Sequence, residues 1–145
     1  MSITRSGNEV VISGTKDIMR ILEEIAPKEA GNLMRATVNG IAAEARKEIR
    51  KRAPKDTGFL RKAIKSRRKK SPPYAPLAIV YADKGAGYWK PLEYGSKINN
   101  LKAYYFMRDG AAVVQKNLEE ITTRVFTKRL EAKIKRDLKK QAALP

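Results

Sequence analysis

At 145 residues, with 42% hydrophobic and 32% charged side chains, the chain has apolar content for one modest core and a surface dominated by charge. Its formal net charge is +17, from 32 Lys and Arg against 15 Asp and Glu, a field that opposes compaction and attracts polyanions or acidic protein surfaces. The absence of cysteine and histidine excludes disulfides, thiolate chemistry, the commonest zinc and copper ligands and the Ser-His and Cys-His nucleophile systems.

The first residues, Met1-Ser-Ile-Thr-Arg-Ser, have no apolar run of signal-peptide type, and no segment approaches the roughly 20 apolar residues of a membrane span, so a cytosolic product is expected. Val10-Val-Ile12, between Gly7-Asn8 and Ser13-Gly14, reads as a short strand. Thr15 is placed to cap a helix whose stripe is Ile18, Ile21, Leu22 and Ile25. Pro27 suits the first turn of a second, longer helix. There Ala30, Leu33, Met34, Val38, Ile41, Ala42, Ala45 and Ile49 recur at threes and fours, which predicts one buried face up to the stop at Ala53-Pro54.

Lys55-Asp-Thr-Gly58 reads as a turn in which Asp56 or Thr57 caps a short helical stretch with Leu60 and Ile64 on one side. Ser66 to Pro73 contains no apolar residue and is predicted to be extended and exposed. Ala75 to Asp83 is apolar on both alternating faces beyond Pro76, as in a well-covered strand. Lys84 to Gly87 reads as a flexible loop, and Tyr88 to Gly95 as either a bent strand or one helical turn. From Met107 the series Ala111, Val114, Leu118, Ile121 and Val125 makes a heptad-like seam, with Asp109 placed to cap its start. After Val125 the seam slips to Phe126, Leu130, Ile134 and Leu138, which predicts a bend or a change of packing partner. Residues 126–145 are therefore a basic helical extension of a single domain, expected to dock on a neighbouring subunit or to fray.

The densest chemistry is basic. Arg46 to Lys70 holds thirteen Lys and Arg against Glu48 and Asp56, peaking at Arg61, Lys62, Lys65, Arg67, Arg68, Lys69 and Lys70. Such a run suits backbone phosphates without base selectivity, or an acidic partner, or plain solvation. No zinc-finger spacing, Gly-X-X-Gly clamp or aromatic RNA-binding signature accompanies it, and the tyrosines and Trp89 are better suited to core and interface area than to stacking on bases. The carboxylates form no compact metal-binding motif, so neither cofactor nor metal is expected, and the chain is read as no enzyme.

Three blocks occur in order: Ala53-Pro-Lys-Asp-Thr-Gly-Phe-Leu60, then Leu92-Glu-Tyr-Gly-Ser96, then Phe106-Met-Arg108. Their order and spacing resemble the bacteriophage tail-component family typified by lambdoid gene-product-ten-like and minor tail protein Z-like proteins, from about Ala30 to Glu120. Where that family usually has Thr, Pro and Pro, this chain has Ser96, Tyr105 and Asp109. The resemblance implies an α+β protomer, a small mainly antiparallel sheet packed by two or three helices with a long C-terminal helix. It further implies a structural virion protein at the head-tail junction, in a tail-completion, neck or terminator role, assembled in the host cytoplasm. Its partners would be further copies of itself in a ring, six-fold by analogy, the connector or head-completion protein, the tail tube and, without sequence specificity, double-stranded DNA. Pro54, Thr57, Gly58, Leu60, Glu93, Tyr94, Gly95, Phe106, Met107 and Arg108 are then the motif or subunit-interface residues. The alternative is a free, nonspecific nucleic-acid-binding protein.

Overall fold

A computed structural model describes residues 2–6, 9–13, 27–55, 58–72 and 75–144, with side chains for 9, 28–55, 58–72 and 75–144. The elements are β1 (Ser2–Ser6), β2 (Glu9–Ser13), α1 (Pro27–Arg52), α2 (Phe59–Ala63), β3 (Ile64–Lys69), β4 (Leu77–Ala82), a 3-10 turn (Lys84–Ala86), α3 (Trp89–Tyr94), α4 (Phe106–Lys116) and α5 (Leu118–Ala142). The fold is α+β. The expected helix over Lys16 to Ile25 and the caps at Thr15, Asp56 and Thr57 lie outside the described residues.

α1 is the central element. Its eight predicted core positions, Ala30 to Ile49, are all buried, and Thr37, also buried on that helix, is satisfied by donating to the Leu33 carbonyl at 2.8 Å. One side of α1 covers the sheet, and the other receives α4 and α5. α4 comes so close that a Cβ on Gly110 would stand 2.8 Å from Ile49 Cα. α5 follows α1 in the opposite direction, with Arg124 reaching Glu44 at 3.5 Å and Lys133 reaching Glu29 at 2.6 Å.

The sheet has four antiparallel strands in the order β1-β2-β4-β3, which puts β4 inside and β3 at an edge. Ala78 and Val80 of β4 join the core with Ile64, Leu60 and Ala63. Two expectations are corrected here. Ile64 is not part of the short helix but opens β3, and Ser66 to Lys69, expected to be merely extended and exposed, pair with β4 along its length. Only Ile64 on this strand is apolar, so alternation could not reveal it.

Three further differences concern the second half. Lys84–Ala86 is a 3-10 turn rather than a free loop, capped by Asp83 accepting from the Lys84 N–H at 2.9 Å. Trp89–Tyr94 resolves the open choice in favour of helix, with Pro91 in the first turn, where its missing N–H costs nothing. Of the seam, Met107, Ala111, Val114, Ile121 and Val125 are buried as predicted and Leu118 only partly, and the helical run is interrupted at Asn117, not after Val125. Past Val125 the helix continues unbroken while its apolar residues surface, Ile134 being 49% and Leu138 59% exposed. No described helix is long and apolar enough to cross a membrane.

Candidate functional site

The basic run is divided among different surroundings. Arg61 donates from Nε to the Ala53 carbonyl at 3.0 Å, tying α2 to the end of α1. Lys62 stands exposed beside it, where Lys47, Arg50, Lys51 and Arg61 border a shallow depression of about 340 Å3. Arg50 is structural: its Nε and Nη2 donate to the Ile64 carbonyl at 2.9 and 2.6 Å, and burial, then the neighbouring Arg46, lowers its pKa from the ordinary value.

Along β3 the side chains alternate between the two sheet faces. Lys65, Arg67 and Lys69 share the face away from α1, and each has a neighbour. Lys65 meets Asp83 at 2.6 Å, Arg67 lies 4.9 Å from the Tyr81 ring centroid, and Lys69 reaches Glu9 at 3.3 Å. The Lys65 hydrogen bond, then the charge of Asp83, raises the lysine's pKa; the same bond, then the Lys84 N–H, lowers that of Asp83. Arg68 projects to the α1 side, where the Asn39 amide oxygen accepts from its Nε and Nη2 at 2.5 and 3.2 Å. There it joins Arg35, and Lys69 and Lys70 close the same depression.

The motif residues form a connected unit. Gly58 precedes α2 with φ +79°, a left-handed conformation that favours glycine, and Leu60 is buried two residues later, while Pro54 is half-buried. Thr57 lies outside the described residues. Glu93 is fully buried, and its carboxylate accepts from the Met107 N–H at 2.8 Å and the Arg108 N–H at 3.0 Å. It thereby caps α4 from a separate helix, satisfying two of the N–H groups that every helix start leaves open. The expected cap, Asp109, instead sits in the first turn and pairs with Arg108 at 2.9 Å. Gly95, at φ +79°, has the Leu101 carbonyl 3.0 Å from where a Cβ would stand, so the 95–104 loop folds tightly back on it. Tyr104 and Tyr105 N–H groups donate to the Leu92 and Glu93 carbonyls, which delivers Phe106 and Met107 into the core. Arg108 lies over the Tyr105 ring, 3.8 Å from its centroid, and Tyr94 is exposed.

This arrangement leaves an open groove of about 640 Å3 bordered by Pro54, Phe59, Tyr88, Leu92, Leu101 and Tyr104. Among the described residues no charged side chain borders it, although the chain is 32% charged. Ile98, on the loop that forms one wall, is 97% exposed. The sequence pointed to the blocks and to the tyrosines, Tyr88 and Tyr104 among them, as core or interface area but did not single out Phe59 or Ile98, since what collects them is the fold-back at Gly95, which periodicity does not encode. Among the described residues no group of three or more acids gathers as a metal-holding set.

Residues 16–95 match the family described as "Bacteriophage HK97-gp10, putative tail-component". The match spans more than half of the chain and takes in the first sequence block and the second as far as Gly95; Ser96 and Phe106-Met-Arg108 lie beyond it. No curated protein and no solved structure gives a match.

Proposed function

Because the chain belongs to the bacteriophage HK97-gp10 tail-component family, we propose that it is a structural, non-catalytic virion protein that forms a ring at the head-tail junction. Copies of the chain associate side by side, six by analogy, between the connector or head-completion protein and the tail tube, and DNA passes through the opening. The observation that carries this reading is the uncharged aromatic groove. A protein of net charge +17 repels its own copies over most of its surface, and a patch without charge is where two copies approach at least electrostatic cost. Exposed tyrosines, Phe59 and Leu101 are also the residue types that dominate interface cores. The bare Ile98 beside the groove extends the same apolar patch, and a ring forms where this patch meets a different surface of the next copy and the rotation closes.

Light scattering and negative-stain imaging of the purified protein, alone and mixed with connector and tube proteins, test the proposal. Rings or partner complexes are expected, and replacing Tyr104 and Ile98 with Asp is expected to dissolve them without unfolding the protomer. A protein that stays monomeric at all concentrations and binds neither partner refutes the reading.

A further inference from the structure

We infer that the protomer carries a binding trough for the phosphate backbone of duplex DNA, assembled from α1, β3 and α5, to which the contiguous basic run of the sequence contributes only its end, Arg68 to Lys70. It does not depend on ring formation and is testable on the isolated protomer.

Two depressions adjoin at Arg35 and Arg68, which border both. One, of about 230 Å3, runs to Lys70 at the end of β3. The other, of about 630 Å3, runs along α5 past Arg129, Arg136 and Lys140. The α5 members recur at threes, fours and sevens, so they form one stripe on the helix face turned toward α1. From Arg129 to Lys140 the helix rises about 16 Å, a length over which each DNA strand presents about five phosphates.

The cations differ in how far they are committed. Lys133 is held between Glu29 at 2.6 Å and Asp137 at 3.0 Å, which fixes α5 against the start of α1 and offsets one of the two acidic charges of the trough. Arg35, Arg129 and Lys140 have no ion-pair partner among the described residues, and Arg68 bonds only the neutral Asn39 there. On the opposite sheet face, by contrast, Lys65 already pairs with the Asp83 carboxylate, and at the β3 end of the trough Lys69 pairs with Glu9.

Composition points to nucleic acid rather than to an acidic protein. Protein interface cores are rich in aromatics and poor in lysine, and the trough has the reverse character. Among the described residues no aromatic side chain borders either depression, which suits contact with backbone phosphates without sequence preference.

The test is fluorescence anisotropy of a short labelled duplex titrated with the full chain across a range of sodium chloride concentrations. Replacing Arg35, Arg68, Arg129 and Arg136 together with Gln is expected to weaken binding at least about 10-fold and to reduce the slope of log affinity against log salt by about 3 to 4. The control, Lys62→Gln with Lys65→Gln and Arg67→Gln, removes nearly as much charge from residues that border neither depression and is expected to change the slope by less than about 1. Changing the same four arginines to Lys keeps the charge and is expected to retain the slope, which separates phosphate contact from an effect on folding. Failure of the wild-type chain to bind duplex in a salt-sensitive way overturns the inference. Equal losses in trough and control variants overturn it, as does loss of the slope in a folded lysine variant. Preference for an acidic polypeptide over duplex in competition would mean that the trough serves a protein and would also overturn it.

Discussion

Glu93 shows how much one buried side chain can organise. A carboxylate removed from water is costly unless its charge is met, and here two backbone N–H groups at the positive end of α4 meet it. Glu93→Ala leaves the Met107 and Arg108 N–H groups without those acceptors beside a new void, so a loss of about 2 to 4 kcal/mol is expected by denaturant unfolding. Gln keeps the shape and one acceptor and is expected to recover part of that loss. A second case is Tyr105, which stands where the resembling family usually has proline and adopts φ +49°. Proline is locked near −65° and has no N–H, whereas the Tyr105 N–H donates to the Glu93 carbonyl at 3.1 Å. Tyr105→Pro is therefore expected to lower the melting midpoint by several degrees, roughly 1 to 3 kcal/mol, even though it restores the family pattern. Neither residue's role was legible in the sequence. Asp109 looked like the cap because capping signals are read locally, while Glu93 acts across fourteen residues through a loop closure.

At the scale of elements, legibility followed burial. α1 was readable along its described length because one face meets the sheet and the other α4 and α5, so the apolar positions recur without a gap. β4 was readable because it is interior, and its neighbour β3 was not, because an edge strand needs an apolar residue only where it meets the core, at Ile64. The charge on β3 has its own physical use. An unpaired strand edge is a template for another chain, and Lys65, Arg67, Arg68 and Lys69 make pairing with a second copy of this edge repulsive. Replacing Lys65, Arg67 and Lys69 with Val raises strand propensity and removes that protection. The variant is expected to fold, since these three side chains lie outside the core, but to aggregate with a cross-strand signature. Thioflavin fluorescence and light scattering check this, and a variant as dispersed as the parent would show that the charges do not guard the edge.

Across the whole molecule, α5 separates stability from binding. Its first two turns belong to the core through Ile121 and Val125, and beyond Val125 no described residue is buried. What holds the rest against α1 is the Lys133 contact with Glu29, an exposed pair that salt screens. The expected slip of the seam after Val125 thus marks where the helix leaves the core; the bend or change of partner expected there does not occur, since the helix runs on unbroken beside α1, and the break falls at Asn117 instead. Terminating the chain after Lys128 retains every buried position of α5 and removes Arg129, Arg136 and Lys140. The truncated protein is expected to melt within about 4 °C of the parent, because the interactions removed are worth on the order of 1 kcal/mol. Its affinity for duplex DNA is expected to fall at least about 10-fold at moderate salt, with a shallower salt slope, because most of the α5 wall of the trough is gone. If the truncation unfolded the protein, residues after Lys128 would have to be core, contrary to their exposure. If it folded and bound DNA with unchanged slope, the cations of α5 would have no part in contacting phosphate, and the basic end of the helix would have to be explained by a protein neighbour instead.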